Sequence, residues 1–312
     1  MTVIIRNADL IESVADALQY ISYFHPMDYI RALGDAYEAE QSPAAKDAIA
    51  QILTNSRMCA EGHRPLCQDT GIVNVFVEWG MDCRLENTSA SLQDVIDEGV
   101  RRAYLHPENK LRASVLADPA FTRRNTKDNT PCVLHVDLVP GSKVSVDVAA
   151  KGGGSENKSK FKMMNPSDNI IDWVVEMLPQ MGAGWCPPGM LGIGIGGTAE
   201  HCVLLAKQAL MEPIDMGPLK ARGPKNDIEA MRIEIFDKVN ALGIGAQGLG
   251  GLSTILDVKI MDAPCHAAGK PVAMIPNCAA TRHAHFTLDG TGPAYLEAPK
   301  LDEWPKVDWT PD

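Results

Sequence analysis

The sequence lacks any run approaching the ~18–20 uninterrupted apolar residues of a membrane-spanning helix, so no membrane partner is expected. It lacks an excess of positive charge. Its 29 Lys and Arg stand against 40 Asp and Glu, a formal net charge of -11. That sign argues against non-specific binding to nucleic acid or an anionic membrane. It also means that an anionic substrate needs a local cluster of Arg, Lys or backbone N–H groups. The first residues, MTVIIRNADLIESVADAL, carry acids where a secretory leader has a basic start and an apolar run. A cytoplasmic protein is expected, and its 8 cysteines are then thiols rather than disulfides. No C-x-x-C pair is present, which disfavours a zinc ribbon or a ferredoxin-like site. There is no G-x-x-x-x-G-K-[ST] phosphate loop, no internal repeat and no low-complexity block.

What is present is an ordinary globular balance, 45% hydrophobic and 22% charged over 312 residues. That length suits two domains or one large one. The first sixty residues read as helices: DLIESVADALQYISYF after an Asn7 or Asp9 cap, then MDYIRALGDAYEAE and PAAKDAIAQILTNSRMCAEG. GIVNVFVEWG alternates like a strand. SLQDVIDEGVRRAYL is an amphipathic helix capped by Ser91. PCVLHVDLVPGSKVSVDVAA predicts a hairpin turning at Pro140-Gly141-Ser142. KGGGSENKSKFK predicts a polar loop, and PSDNIIDWVVEMLPQMG a helix opened by Pro166 and Ser167. An apolar glycine run, two further helical stretches and the strands LSTILDVKIM and VAMIPNCAATRHAHFTLDG follow. Residues 291–312 are proline-rich and predict a linker. Strands and helices alternate without a strict βαβ rhythm. The expected class is α/β, with mixed β-sheets surrounded by helices, a helical lead-in over 1–60 and one domain over 1–290.

Three glycine segments invite functional readings. Gly192-x-Gly194-x-x-Gly197 has the dinucleotide spacing, yet Cys186-Pro187-Pro188 stands where the fingerprint needs a regular strand. A glycine-rich strand that lets another backbone come close is the better expectation, and the same holds for ALGIGAQGLGG at 241–251. In KGGGSENKSK, three glycines followed by lysines allow an anion-binding nest, or simply a flexible exit from a strand.

Three cysteines stand at breaks in regular structure: Cys67 in RPLCQDTG, Cys186 in GAGWCPPGM and Cys278 in PNCAATRH. Cys59, Cys83, Cys132, Cys202 and Cys265 have no such setting. A buried structural thiol prefers apolar neighbours, whereas a reactive or ligating one needs polar company and an irregular backbone. The residues alone leave three readings open. These are unrelated core thiols, a single catalytic cysteine with a histidine, or three thiolates holding a cubane cluster with one iron unligated.

CQDTG, AAKGGGSENKS, GWCPPGMLGIGIGGTAE, ALGIGAQGLGG and PNCAATRHAHF, in that order over about residues 55–300, resemble class I fumarate hydratase, the iron–sulfur fumarases. The resemblance implies an N-terminal hydro-lyase domain or α chain. It implies a [4Fe-4S] cluster on Cys67, Cys186 and Cys278, whose open iron works as a Lewis acid. It implies substrate contacts from Gln68, Asp69, Arg112 and the Gly154 backbone, and acid catalysis by Asp69 with His266. The family's C-terminal domain, which carries the base, does not follow TPD, so that domain or a separate β chain is an expected partner. A homodimer and a small dicarboxylate substrate are expected too. The related L(+)-tartrate dehydratase α subunits share the outline with different glycine and cysteine loops. Reversible hydration of fumarate to L-malate is therefore the first expectation, and a tartrate- or mesaconate-type dehydratase, or a domain inactive without its partner, the alternative.

Overall fold

A computed structural model of the chain describes residues 2–308. Residues 309–312, the end of the expected linker, lie outside the described residues. In chain order the elements are β1 (Val3–Ile5), α1 (Asn7–Tyr23), α2 (Met27–Ala39), α3 (Pro43–Gly62), β2 (Ile72–Gly80), β3 (Cys83–Leu85) and α4 (Leu92–Tyr104). Then come β4 (Leu116–Ala117), β5 (Arg124–Asn125), β6 (Val133–Val139), β7 (Val144–Lys151), α5 (Gly153–Glu156), β8 (Lys160–Met164) and α6 (Ile170–Met181). The rest are β9 (Gly189–Gly196), α7 (Ala199–Ala209), α8 (Met216–Arg222), α9 (Asp227–Asn240), β10 (Ile255–Ala263), β11 (Lys270–Asn277) and β12 (His283–Leu288). The expected α/β class with mixed sheets and a helical N-terminal segment is what the chain adopts. Among the described residues no helix is long and apolar enough to cross a membrane.

The chain divides into two compact units. The first comprises Met1–Pro26, Ser56–Gly152 and Arg282–Asp302. Its sheet runs β12-β7-β2-β6, with β2 and β6 parallel and the other pairs antiparallel. Val73, Val75 and Val77 of β2 alternate onto the face that α1 and α4 cover, where they meet Val14, Leu18, Val95 and Val100. Ser91 and Asp94 close a reciprocal capping box at the start of α4. Asn7 does not cap α1. It begins the helix, and its side chain exchanges hydrogen bonds with Asn87 at 3.1 Å.

The hairpin expected at Pro140-Gly141-Ser142 does not form. β6 and β7 both pair with β2, which lies between them. The reason is visible at Gly80, where the 140–143 turn folds over the end of β2. A Cβ there would meet Lys143 O at 2.5 Å and Gly141 O at 2.6 Å. Only glycine admits that closure, and Gly80 N donates to Lys143 O at 2.9 Å to seal it.

The second unit comprises Met27–Asn55, Gly153–Thr281 and Glu303–Asp312. Its sheet runs β10-β9-β11-β8, with β9 and β10 parallel and β11 antiparallel to both neighbours. Leu191 and Ile193 face Trp173, Leu178, Ile235 and Val239 of α6 and α9. Met190 on the opposite face meets Cys202, Ala206 and Leu210. The glycines of β9 let α7 lie against the strand. A Cβ on Gly192 would stand 2.1 Å from Ala206 O, and one on Gly194 1.9 Å from Cys202 O. Close packing thus accounts for the dinucleotide-like spacing. α6 opens at Asn169, whose Oδ1 accepts from Ile171 N and Asp172 N, rather than at Pro166-Ser167. The expected polar loop KGGGSENKSKFK is the single turn α5 followed by β8, an edge strand rich in lysine.

The expected linker is docked. In the first unit Ala294 N donates to Ser13 Oγ at 2.8 Å, and Ala294 and Leu296 pack on the core. In the second, Trp304 is buried and Glu303 pairs with Arg31 at 3.0 Å.

Candidate active site

In the first unit the turn RPLCQDTG enters β2. Three successive carbonyls in it are each taken by a side-chain donor. Asp69 O accepts from Arg282 Nη1 at 2.6 Å, Thr70 O from Tyr104 Oη at 2.8 Å, and Gly71 O from Asn129 Nδ2 at 3.0 Å. Thr70 donates its hydroxyl to Arg112 O, which ties the Arg112 backbone to the turn. Asp69 Oδ1 accepts from Gly71 N at 3.0 Å, an Asx turn. Cys67 is half-buried, and its Sγ donates to Gln68 Oε1 at 3.5 Å. Arg112 is exposed, and no ion pair to its guanidinium is found among the described residues. The first unit therefore brings Cys67, Gln68, Asp69 and Arg112 to one turn.

Arg282, Tyr104 and Asn129, all buried, were not candidates from the sequence. Burial pushes the Tyr104 phenol up to about 12, so it stays a neutral donor. Arg282 lies beside the Asp69 segment, and its buried Nε has no partner among the described residues. The signal for Arg282 was its place just before a strand in ATRHAHF, four residues after Cys278.

The second unit holds its two cysteine loops by the same device. Cys186 O accepts from Ala279 N at 2.9 Å, so the backbones at Cys186 and Cys278 stand one hydrogen bond apart. Pro187 O accepts from Gln247 N at 2.8 Å and from Gln247 Nε2 at 2.7 Å. Pro188 O accepts from Tyr29 Oη at 3.2 Å. Cys186 is exposed with φ 57°, a left-handed conformation that a non-glycine residue holds only under constraint. Cys278 is half-buried just past β11. Gly154, in α5, abuts the same segment: a Cβ there would lie 3.1 Å from Gly184 O. Gln247 is the residue that the glycine segment 241–251 concealed.

His266 is in this unit but not at this end of it. It lies in the exposed turn before β11, and Cys278 follows that strand. Eight residues of strand span about 26 Å. His266 Nδ1 accepts from Ala268 N at 3.0 Å, so the neutral ring carries its proton on Nε2.

Six of the eight thiols fall into two groups; Cys83, half-buried in β3, and Cys265, exposed in the turn before β11, stand apart. Cys59, Cys132 and Cys202 are buried, and desolvation pushes each up, Cys132 to about 12 and Cys202 to about 11. Cys67, Cys186 and Cys278 reach solvent from irregular backbone. Trp185, wholly buried beside Cys186, has an indole N–H with no partner among the described residues, a donor of the kind that cluster sulfurs accept. Thiols that reach solvent and an unpartnered N–H are the donor chemistry an iron–sulfur group requires. Among the described residues no three His, Cys, Asp or Glu side chains converge as ligands of one metal ion.

The family model for fumarate hydratase (Fumerase) matches residues 11–287. A Methanocaldococcus jannaschii protein, provisionally described as an L(+)-tartrate dehydratase subunit alpha, is 36% identical over 279 residues, covering 87% of this chain and 94% of that one. L(+)-tartrate dehydratase subunit alpha of Escherichia coli O157:H7 is 29% identical over 290 residues, covering 90% and 93%, and that of strain K12 is 28% identical over the same span. The expectation that tartrate dehydratase loops set those proteins apart from this chain receives no support from these relatives. With the match covering most of its length, the chain belongs to the fumarate hydratase (Fumerase) family of hydro-lyases.

Proposed function

We propose that this chain is the α chain of a two-subunit iron–sulfur hydro-lyase acting on a four-carbon 2-hydroxy dicarboxylate. L(+)-tartrate is the first substrate, and the fumarate–malate pair the second. The carrying observation is the 36% identity across 94% of a relative whose description names both that substrate and an alpha subunit. The family model supports the fumarate reading, which the sequence motifs put first; the relatives support tartrate.

In this reading Cys67, Cys186 and Cys278 hold a [4Fe-4S] cluster. Bound there, the cluster supplies an iron with an open position, a Lewis acid for a substrate oxygen. Arg112, unpaired among the described residues, offers a carboxylate its two-pronged donor set. The Gly154 backbone N–H is a second anion donor, and Gln68 a donor and acceptor for the hydroxyl. Asp69 gives its proton to the departing hydroxyl, which leaves as water. The resemblance pairs His266 with Asp69 in this transfer, but His266 stands before β11 and Cys278 after it, so His266 takes no step in this reading. The proton on the neighbouring carbon goes to a base on the β chain. With tartrate the product is an enol that tautomerises to a 2-oxo acid; with malate it is fumarate.

The test is anaerobic co-purification with the β chain, iron and sulfide analysis, and two assays, 2-oxo acid from L-tartrate and fumarate from malate. About four irons per α chain are expected. Serine at position 67, 186 or 278 abolishes them, and Cys202→Ser does not. Specificity for tartrate should exceed that for malate by at least about tenfold. The reverse ratio establishes the fumarate reading. Full iron content in all three serine variants, or no turnover of either acid, overturns the proposal.

A further inference from the structure

β6 is the outer strand of its sheet. β2 pairs with one edge, and among the described residues no strand pairs with the other. Unpaired edges are usually guarded by lysines, prolines or bulges. β6 has none of these over its seven residues. Val133 is 42%, Val136 44% and Leu138 70% exposed. In register, Leu134, Val136 and Leu138 lie beside Val75, Val77 and Trp79, on the face that carries the core. The core of this unit therefore runs out to an open apolar flank at a bare edge.

The strand is also a chemical palindrome: Val-Leu-His-Val-Asp-Leu-Val about Val136. Take a two-fold axis through Val136 with a second copy antiparallel. Val136 then faces its own copy, Leu134 faces Leu138, Val133 faces Val139, and His135 faces Asp137. Residues directly opposite in an antiparallel pair share a face, so like meets like and the two titratable side chains meet as complements. A one-residue slip sets His135 opposite Val136 or Leu138 and turns one apolar flank away from the other.

We propose that β6 is a self-association surface, on which a second copy of this chain adds its own β6 antiparallel about Val136 and joins two four-stranded sheets into one. The occupant is a second copy because the complementarity is internal to the strand, as an isologous contact requires. The inference stands independently of the substrate and the cluster.

The test uses the full chain, by sedimentation and light scattering, with circular dichroism to confirm folding. The parent should be a dimer. Val136→Asp, which sets two carboxylates on the axis, should raise the dimer Kd at least about tenfold. His135→Asp and Asp137→His should each weaken the dimer, and the double swap should restore it, because it regenerates the same pair in reverse. Under mild oxidation Val136→Cys should give a 136–136 disulfide in peptide mapping, and Val133→Cys should not link to itself. This last pair decides the matter even if a position-135 variant folds poorly. A monomeric parent, an unaltered dimer in Val136→Asp, a double swap no tighter than the singles, or a dimer without the 136–136 link overturns the proposal. So does protection of 133–139 from hydrogen exchange by a different subunit while the chain alone stays monomeric.

Discussion

Asp69 has an observed side-chain contact and a proposed role, and a single substitution separates them. Its Oδ1 closes the turn onto Gly71 N, and its carboxyl is the proposed proton donor. Asparagine keeps an Oδ1 acceptor and loses the proton. Asp69→Asn should therefore retain the turn and the iron, while per-cluster kcat falls by about 10²–10⁴-fold. Turnover within threefold of the parent would leave Asp69 a turn residue. Gln247 is the second residue-scale case, since it holds Pro187 O twice. Gln247→Ala removes the side-chain half. The expected outcome is faster alkylation of Cys186 in the metal-free protein, read by peptide mass spectrometry, with Cys202 unchanged. Tyr104 gives a pH signature. Its folded value of about 12 lies above the ordinary 10.0, so folding favours the neutral phenol. That contribution is fully present below pH 10 and is lost as pH rises through about 12. Tyr104→Phe should lower stability by about 0.5–1.5 kcal/mol at neutral pH and flatten the alkaline decline, measured by denaturant midpoints.

At the scale of elements, much was legible. Periodicity located α1, α2, α3, α4 and α9, because each has one apolar stripe, and Ser91 marked the start of α4 by its own chemistry. The three loop cysteines and Gln68-Asp69 stood out because polar neighbours and turn residues are local signals. The pairing of β6 and β7 was not legible. Strand partners are set over long sequence separation, and two alternating runs beside a Pro-Gly turn read as a hairpin until β2 is seen between them. The donors Arg282, Asn129, Tyr29 and Gln247 were hidden for the same reason, since nothing nearby in sequence says which carbonyl each meets. The glycines of β9 show how packing can imitate a ligand motif. Gly194→Ala puts a methyl 1.9 Å from Cys202 O, backbone that only a shift of α7 relieves. We expect a loss of at least roughly 1–3 kcal/mol in denaturant unfolding, and no NADH binding in parent or variant. An unchanged midpoint would show that α7 is free to move.

At the scale of the whole chain, the units are assembled from segments far apart in sequence, three to each. A net charge of -11 surrounds the site proposed for a dicarboxylate, so binding there must be local, and the exposed Arg112 guanidinium, without an ion pair among the described residues, is the proposed means. The same assembly explains why the segment after residue 290 is more than a tether. Its prolines leave room for no more than the single 3-10 turn Leu301–Glu303, and its apolar residues follow no period, so sequence pattern reads it as a linker. Yet Trp304 is buried, and Pro305 closes on Gly34, where a Cβ would stand 2.6 Å from its ring. Trp304→Ala should then cost roughly 3–5 kcal/mol, the range for emptying a buried tryptophan site. A linker residue would cost nothing measurable. Urea unfolding separates the two outcomes, with exposed Lys306→Ala as the control. A tryptophan variant as stable as that control would return the segment to the role of a tether.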